Sequence, residues 1–374
     1  MDTLLVTGAA VGTEADFEDD RTAHCLLCGA SEKPGSRFCS MCGKPMPMPS
    51  QFPAESCGCG CSEFTDDTCV SCGARRKSVR DQPSVLDIGP GLAGATDPGR
   101  NPRHPRNDDA FILHGPASGG PGSIVIVCDG VSQSQHPDIA SLEAVKAAMS
   151  CLRAMAVGGA QVGQLTVDEC RASMSNAMSS AMSSAMSNAI CRAHDAVCHV
   201  PFDRTSSVDP PATTLVAAVV LAGARQGYVN VTVGWLGDSR LYWLPRTGDR
   251  QGMLLTRDHS WCNEAIDKGL LSEDEARGHP KSHAITKSLG TEDFTKSTPC
   301  PQPSVECVEL PADGWLLACT DGLWGYAESP SALRLAGNGH LGRLGAADIS
   351  RHFVDFANAR GGRDNITCAV VELG

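Results

Sequence analysis

Four aspartates stand where apolar segments of the chain begin or end. Asp129 follows VIVC, Asp238 follows GWLG, Asp321 follows LLACT and Asp364 precedes NITCAVVEL. Asp-Gly and Asp-Asn are ordinary turn dipeptides, so each aspartate alone indicates no more than a turn. Together, acids at the ends of separate core strands can meet at one edge of a sandwich, where their oxygens suit Mg²⁺ or Mn²⁺ rather than zinc. The spacing therefore predicts a divalent-cation site.

The chain also has nineteen cysteines, which could bind metals or react, and nine of them fall within residues 25–72. Two C-x-x-C pairs, each followed by glycine, are formed by Cys25, Cys28, Cys39 and Cys42. Four thiolates suit a tetrahedral Zn²⁺, and a site closed by four protein ligands is structural because no position stays open for substrate. The pattern predicts a zinc ribbon over residues 24–44, held together by the metal because so short a segment has almost no core.

A second ribbon is predicted over residues 57–77. Cys69 and Cys72 repeat the C-x-x-C-Gly pattern, whereas Cys57, Cys59 and Cys61 are spaced by two residues. Two of these three would complete the ligand set, and we favour Cys57 and Cys59. We therefore expect one or two structural Zn²⁺ ions. Paired ribbons of this kind resemble the interaction or sensing modules of bacterial proteins, so a ribbon-bound protein partner is expected.

The other ten cysteines are scattered singly between Cys128 and Cys368. An odd total of cysteines and a start, MDTLLVTGAAVGT, that has no Lys or Arg argue against a secreted disulfide protein. We expect a cytoplasmic protein whose C-terminal cysteines are mostly small, buried apolar side chains.

The composition of the 374-residue chain disfavours two classes of partner. Its formal net charge of −12 argues against nucleic acid or an anionic membrane surface. No apolar run approaches the roughly 18 residues of a membrane-spanning helix. Basic density in the ribbons is limited to Arg75, Arg76 and Lys77, without interleaved aromatics, so nucleic-acid binding there is a weak alternative.

The elements that must position the aspartates begin near residue 110. Runs rich in β-branched residues, such as GSIVIVCDG and GWLLACTDG, are separated by short turns, which is typical of antiparallel hairpins. Helical patterns occupy 137–157, 169–197 and 347–362, and residues 174–186 carry Met at every fourth position, a stripe that we expect to be buried. The combination predicts an α+β layered domain.

Composition also suggests domain boundaries. We expect a disordered N-terminus at 1–23, the first ribbon at 24–44, a spacer at 45–56, the second ribbon at 57–77, a linker at 78–95 and a large domain at 96–374. The acidic run EADFEDDR, and segments rich in Pro, Gly, Ser and Arg, are the basis for the regions outside the ribbons and the domain.

Eight short motifs follow in order along the large domain. They are RNDDA (106–110), VCDG (127–130), ATTL (212–215), GDSR (237–240), LTRDHS (255–260), HPKSHAITKSLG (279–290), LLACTDGLW (316–324) and GGRDNIT (361–367). In order and spacing they resemble the bacterial branch of the metal-dependent type 2C protein serine/threonine phosphatases, over roughly residues 90–374. The resemblance implies an α-β-β-α four-layer sandwich of two antiparallel sheets, preceded here by the small zinc ribbons.

The resemblance also implies a ligand set for two or three Mn²⁺ or Mg²⁺ ions. Its members are Asp108, Asp109, Asp129, Gly130, Asp238, Asp321 and Asp364. Asp129 would bridge two ions with help from the Gly130 carbonyl, and Asp321 and Asp364 would hold the second ion. Asp108 and Asp109 would orient metal-bound waters, and Asp238 would help to bind a third ion.

Other positions are less well defined by the resemblance. The family places a phosphate-binding arginine upstream of the acidic pair; the spacing here allows Arg103 or Arg106, and we prefer Arg103. Asp108 stands where the family usually has Glu, which shortens the reach to a metal-bound water. Asp258 and His259 either assist the metals or form a structural turn that anchors the flap at roughly 260–290, and we favour the turn.

The implied activity is hydrolysis of phosphoserine and phosphothreonine in proteins, opposing bacterial Ser/Thr kinases. A dimetal-bridging hydroxide would attack phosphorus, with Asp109, Asp129, Asp321, Asp364 and Arg103 as the catalytic residues. Phosphorylated proteins, including kinases and their substrates, are the implied partners. A scaffold that has lost activity is the main alternative, but it would show degraded ligands, whereas the aspartates are all present.

Overall fold

The structure is a computed structural model. It describes residues 2–5, 23–24, 31–32, 61–65, 68–72, 79–102, 104–159, 168–247, 250–277, 279–281, 284–290, 299–337 and 339–374. The chain divides into two compact units. Met1–Val6 and Pro83–Gly374 belong to the larger unit, and Thr7–Gln82 form the smaller one.

The described strands are short and numerous. In chain order they are β1 (Asp2–Leu5), β2 (Ala23–His24), β3 (Ser31–Glu32), β4 (Phe64–Thr65), β5 (Thr68–Cys69), β6 (Ser84–Gly89), β7 (Leu92–Asp97), β8 (Ala110–Gly115), β9 (Ile124–Cys128), β10 (Ala212–Thr213), β11 (Leu215–Ala222), β12 (Tyr228–Leu236), β13 (Arg240–Pro245), β14 (Met253–Leu254), β15 (Leu289–Gly290), β16 (Ser304–Pro311), β17 (Gly314–Cys319) and β18 (Ile366–Glu372).

Helices fall between and after the two main blocks of strands. They are α1 (Pro137–Gly159), α2 (Asp168–Cys198), α3 (Trp261–Asp267), α4 (Glu273–Arg277), α5 (Asp321–Trp324), α6 (Pro330–Ala336) and α7 (Ala346–Ala359). Among the described residues, no helix combines the length and the apolar character that crossing a membrane requires.

Two six-stranded antiparallel sheets form the larger unit. The first has the order β1-β8-β9-β11-β12-β16 and the second β14-β13-β17-β18-β7-β6, while β10 pairs separately with β15. The β11–β12 hairpin pairs Leu215 with Leu236 at one end and Ala222 with Val229 at the other. The antiparallel pairing predicted from the short turns is confirmed.

Three apolar layers hold the sheets and helices together. Phe111 and Trp243 are buried between the two sheets. Met149 of α1 and Met186 of α2 pack on the outer face of the first sheet, and Phe353 of α7 covers the second. Each such side chain contributes roughly 1.5–3 kcal/mol by leaving water. The order of layers is helix, sheet, sheet, helix, as predicted.

The methionine stripe of α2 lies in this core where the structure describes its side chains. Met182 and Met186 are buried. A Cβ placed on Gly234 of β12 would come within 2.3 Å of Met186 Cγ. The helix therefore packs directly on the sheet, and the expected burial of these two methionines is confirmed.

Two predicted boundaries need correction. The expected linker at 78–95 contains β6 and most of β7, and Leu92 of β7 is fully buried. Leu86 and Ile88 alternate with the exposed Val85 and Asp87 in β6, a strand pattern within a segment that is rich in proline and glycine. Within the N-terminus expected to be disordered, residues 2–5 instead pair with β8 at the edge of the first sheet.

The C-terminal cysteines also differ in part from expectation. Cys128, Cys319 and Cys368 are buried free thiols, as predicted. Cys191 and Cys300, however, form a disulfide with a Cα–Cα distance of 5.4 Å. Residues 109 positions apart come together because α2 packs against β15 and β16, which flank the segment that carries Cys300, a proximity that spacing along the chain does not reveal.

The smaller unit is described only in part. β2 pairs with β3 and β4 with β5, and Cys69 at the end of β5 is buried whereas Cys72 is exposed. The other proposed zinc ligands, Cys25, Cys28, Cys39, Cys42, Cys57 and Cys59, lie outside the described residues. Both zinc ribbons therefore remain predictions.

Candidate active site

The Asp129–Gly130 turn is held by a pair of threonines that follow α2. Thr213 Oγ1 donates to the Asp129 carbonyl at 2.8 Å, and Thr214 N–H donates to the same oxygen. Asp129 N–H in turn donates to Thr214 Oγ1 at 3.1 Å. Thr214 Oγ1 also lies 2.7 Å from Ser239 Oγ, next to Asp238. The ATTL and GDSR motifs thus fix the backbone of the Asp129–Gly130 turn, a role that their sequences alone did not reveal.

Asp321 and Asp364 are brought together by the pairing of β17 with β18. Asp321 begins α5 directly after β17, and Asp364 lies two residues before β18. A Cβ on Gly322 would meet the Asn365 carbonyl at 1.9 Å. The glycine of the TDG motif is therefore required by close contact with the DNI motif.

Asn365 connects several parts of the site. Its Oδ1 accepts from Asp108 N–H at 2.7 Å, and its amide donates to the Arg106 and Pro98 carbonyls at 2.7 and 2.9 Å. These bonds hold the loop that carries the acidic pair. Asn365 was missed as a positioning residue, although its place in the DNI motif was a signal.

The acidic pair itself lies at the start of β8. Asp108 and Asp109 are buried, and Thr320 Oγ1 donates to Asp109 Oδ2 at 2.9 Å. The other four acids, Asp129, Asp238, Asp321 and Asp364, are partly exposed. The cluster is thus closed on the Asp109 side and open to solvent on the other, as a site for an external substrate requires.

These carboxylates influence one another strongly. Removal from water and then the charge of Asp109 raise the pKa of Asp129, with further contributions from the other three partly exposed acids. Burial likewise raises the pKa of Asp109. Removal from water and the charge of Asp321 raise the pKa of Asp238 to about 8. The predicted acids therefore lie within electrostatic reach of one another.

This group has the donor chemistry of a divalent-cation site. Hard carboxylate oxygens suit Mg²⁺ and Mn²⁺, and a bound cation would remove the repulsion that raises these pKa values. Within the described ranges, no three or more His, Cys, Asp or Glu side chains are arranged closely enough to coordinate an ion. The residues fit the predicted ions by type and charge, and the coordination geometry stays a prediction.

Asp258 and His259 have structural partners. Asp258 forms a bidentate ion pair with Arg240, with distances of 2.9 and 2.7 Å, and the Arg240 guanidinium lies 3.7 Å from the Trp324 ring centroid. His259 Nδ1 accepts from Gly237 N–H at 3.1 Å, and burial lowers the pKa of His259 to about 4. The interpretation of this pair as a structural turn is supported.

The two candidate phosphate-binding arginines have different outcomes. Arg103 lies outside the described residues. Arg106 Nη1 is 4.0 Å from Asp138 Oδ2 at the start of α1, and its side chain is 28% exposed. Arg106 therefore borders the acidic cluster through its backbone contact with Asn365 and can still reach solvent.

Parts of the chain are similar in sequence to known protein phosphatases. No protein-family model matches the chain. It is 33% identical over 138 residues to the protein phosphatase PhpP of Streptococcus pneumoniae, covering 37% of this chain and 51% of that protein. It is 31% identical over 163 residues to the serine/threonine phosphatase stp of Listeria innocua, covering 43% and 56%. The chain thus spans about half the length of these curated relatives.

Solved structures match more completely. A bacterial serine phosphatase superposes with a TM-score of 0.54 at 20% identity, over 78% of this chain and 98% of that chain. The catalytic domain of the serine/threonine protein phosphatase PstP, solved with two manganese ions, gives 0.51 at 18% identity, over 78% and 99%. The chain has the fold of the bacterial serine/threonine phosphatases. In this phosphatase fold, the ends of β9, β12 and β17 and the start of β18 carry the four aspartates first identified in the sequence.

Proposed function

We propose that this chain is a metal-dependent phosphatase that hydrolyses phosphoserine and phosphothreonine in proteins. The observation that carries the proposal is the convergence of Asp109, Asp129, Asp238, Asp321 and Asp364 into one electrostatically coupled group at an open edge of the sandwich. The similarity to bacterial protein phosphatases in sequence and fold supports the same reaction.

The proposed metal centre uses the chain's own oxygens. Asp129, the Gly130 carbonyl, Asp321 and Asp364 would hold two Mn²⁺ or Mg²⁺ ions, and Asp238 would contribute to a third. When bound, such ions supply Lewis-acid stabilisation of the phosphoryl oxygens and activate water near neutral pH. PstP, which shares the fold, was solved with two manganese ions.

The remaining residues position the reactants. The threonine bonds to Asp129 keep its carboxylate at the end of β9, and Thr320 orients Asp109. Asp108 and Asp109 would orient water at the closed side of the cluster. Arg103 or Arg106 would bind the phosphate dianion and keep phosphorus in line with the attacking water.

Release of phosphate from a phosphothreonine peptide tests the proposal. We expect release by the full-length protein with Mn²⁺, and a loss of at least about 100-fold in Asp129→Ala and Asp321→Ala. Asp348→Ala, an exposed acid on α7, serves as the matched control and should retain full activity. Circular dichroism would verify the fold of each variant. Full activity in both site variants would contradict the metal mechanism.

The N-terminal unit is proposed to guide or regulate the enzyme. Zinc ribbons formed by the cysteine pairs would bind a protein partner, and the enzyme would oppose Ser/Thr kinases in the bacterial cytoplasm. Elemental analysis of the purified full-length protein tests the first part. One or two zinc ions per chain are expected, and one fewer in Cys69→Ser/Cys72→Ser if the second ribbon forms; zinc-free protein would contradict both ribbons.

A further inference from the structure

A cleft of about 540 Å³ lies beside the acidic cluster, between the flap and the segment that follows α5. Its flap side is formed by α3 and α4, which contribute Asn263 and Glu273. Its opposite wall contains Trp324 and Glu328. The volume is enough for a long side chain and its hydration shell, but the proposed phosphatase reaction does not use it.

The cations in this cleft are already matched by acids. Arg240 forms its bidentate pair with Asp258, and the two side chains are 7% and 11% exposed. Arg257 forms a second bidentate pair with Asp267, with both distances at 2.7 Å. Neither guanidinium is available as the main partner of an anionic ligand, because each already donates to both oxygens of a carboxylate.

The cleft also contains two carboxylates, Glu273 and Glu328, that take part in neither of these bidentate ion pairs. Glu273, the first residue of α4, is exposed and has no ion-pair or hydrogen-bond partner among the described residues. Glu328 is 76% exposed, and its nearest cation, Arg240, is 3.5 Å away and already paired. The cleft therefore presents net negative charge and suits a cationic ligand.

The cleft and the acidic cluster are connected by α5, which carries Asp321 at its start and Trp324 at its end. Trp324 Nε1 donates to the Asp238 carbonyl at 3.0 Å, and α5 runs from Asp321 to Trp324, which spans only about 5 Å at the rise of a helix. An extended peptide advances about 3.3–3.6 Å per residue. The span of about 5 Å equals one to two residues of extended peptide, and Glu328 lies beyond Trp324. A peptide whose phosphorylated residue lies at the cluster would thus bring a residue at least one or two positions away to the cleft.

We propose that this cleft binds a lysine or arginine side chain of the phosphoprotein substrate, through Glu273 and Glu328. The inference rests on the proposed phosphatase function and adds a substrate preference to it. Asn263 and the edge of Trp324 would flank the alkyl part of the bound side chain, and the carboxylates of the flap and of the opposite wall would accept its N–H groups. Substrates with a basic residue near the phosphorylation site would be preferred.

Peptide kinetics with the full-length protein and Mn²⁺ test the proposal. The probes are phosphothreonine peptides with a single arginine two, three or four residues before or after the phosphothreonine, and an otherwise identical peptide with alanine. We expect kcat/KM to be about three- to tenfold higher for at least one arginine peptide, as two partly solvated ion pairs allow. The cleft variant, Glu273→Gln/Glu328→Gln, should lose this preference.

A matched variant controls for overall charge. Glu143→Gln/Glu309→Gln removes the same number of charges from partly exposed sites on α1 and β16, where each glutamate pairs with a neighbouring cation. It should keep the arginine preference. Hydrolysis of p-nitrophenyl phosphate, which has no flanking residues, should be equal in all three proteins.

Three outcomes would overturn the inference. The wild-type enzyme could treat all the peptides alike, the cleft variant could keep the preference, or the control variant could lose it equally, which would indicate only long-range charge. If the wild-type protein hydrolysed neither peptides nor p-nitrophenyl phosphate, the proposed function itself would fail. The aryl phosphate therefore separates failure of the reaction from failure of the substrate preference.

Discussion

Asp129 shows how neighbouring groups determine the chemistry of a single side chain. Three hydrogen bonds with the ATTL threonines, two accepted by its carbonyl and one donated by its N–H, fix its backbone, while removal from water and other carboxylates raise its pKa. At the level of single residues, the carboxylates of the site repel one another, and a divalent cation would relieve that repulsion. Arg240 and Asp258, by contrast, satisfy each other's charges without an added ion.

The raised pKa of Asp238 predicts that, in metal-free protein, the difference in stability between Asp238→Asn and wild type depends on pH. The pKa of Asp238 is raised to about 8, above its ordinary value. Its contribution is favourable below the ordinary pKa of about 4 and is lost as pH rises towards 8, because the unfolded chain releases this proton above about pH 4 whereas the folded protein retains it until about pH 8. Asp238→Asn should therefore melt at the same temperature as wild type near pH 4 and at a higher temperature near pH 8. Thermal melts with a chelator would measure this, and a difference that did not change with pH would contradict it.

The two Arg–Asp pairs of the flap region provide a second prediction. Asp258→Asn should lower the free energy of unfolding by about 3–5 kcal/mol, because the buried Arg240 charge loses its bidentate carboxylate and keeps only the exposed Glu328, 3.5 Å away, as a charged neighbour. Asp267→Asn breaks a pair that is 56% and 55% exposed, and should lower it by less than about 1 kcal/mol. Urea denaturation of both variants measures the contrast. Similar values would show that Arg240 finds water or another acceptor.

Among the secondary-structure elements, the site depends on close contact between the start of α5 and the turn before β18. β17 and β18 pair side by side, and the start of α5 rests on the turn before β18. This contact places Asp321 near Asp364, although 42 residues intervene. The helix has four residues and little intrinsic stability, so its position is determined by packing.

The contact at Gly322 can be tested with alanine. Gly322→Ala would place a Cβ 1.9 Å from the Asn365 carbonyl, so we expect Asp321 to shift and activity to fall by at least about tenfold, with a lower melting temperature. Gly345→Ala, before α7, is the control because its Cβ would meet the Pro90 carbonyl at an ordinary 3.4 Å. Activity assays and melts of both variants measure the difference. Unchanged activity in Gly322→Ala would show that the turn before β18 can move away freely.

At the scale of the whole molecule, the chain is held by long-range connections. Each six-stranded sheet pairs strands from distant parts of the sequence, and the Cys191–Cys300 disulfide joins α2 to the segment before β16. Residues 2–5 add a strand to the larger unit although residues 7–82 belong to the other. Truncating the N-terminus at residue 82 would therefore also remove an edge strand.

The disulfide should contribute measurably to stability. It closes a loop of 109 residues, for which loss of chain entropy in the unfolded state predicts about 4–5 kcal/mol. We expect the oxidised wild-type protein to be more stable than the reduced one by this order, and Cys300→Ser to show no difference between the two conditions. Urea denaturation with and without dithiothreitol measures it. Equal stability of wild-type protein in both conditions would contradict the prediction.

Much of the candidate site could be predicted from the sequence because its ligands lie in short motifs at the ends of strongly apolar strands. Asp129, Asp321 and Asp364 were identified from these local patterns, and the resemblance added Asp108 and Asp109. The edge strand β6 and its neighbour β7 were missed because their short apolar pattern lies in a segment rich in proline and glycine. The disulfide was missed because pairing over 109 residues depends on the fold.

Hydrophobic periodicity and turn residues act locally, so the amino-acid order alone indicates which side chains are available for chemistry and which strands end at them. How these strand ends meet depends on the packing of the folded chain. The bonds of Asn365 to Arg106 and Asp108, the ion pair of Arg240 with Asp258 and the cleft beneath the flap join residues far apart in the chain. Such contacts depend on the packing of two sheets, because burial of their apolar faces brings distant polar groups to a common edge.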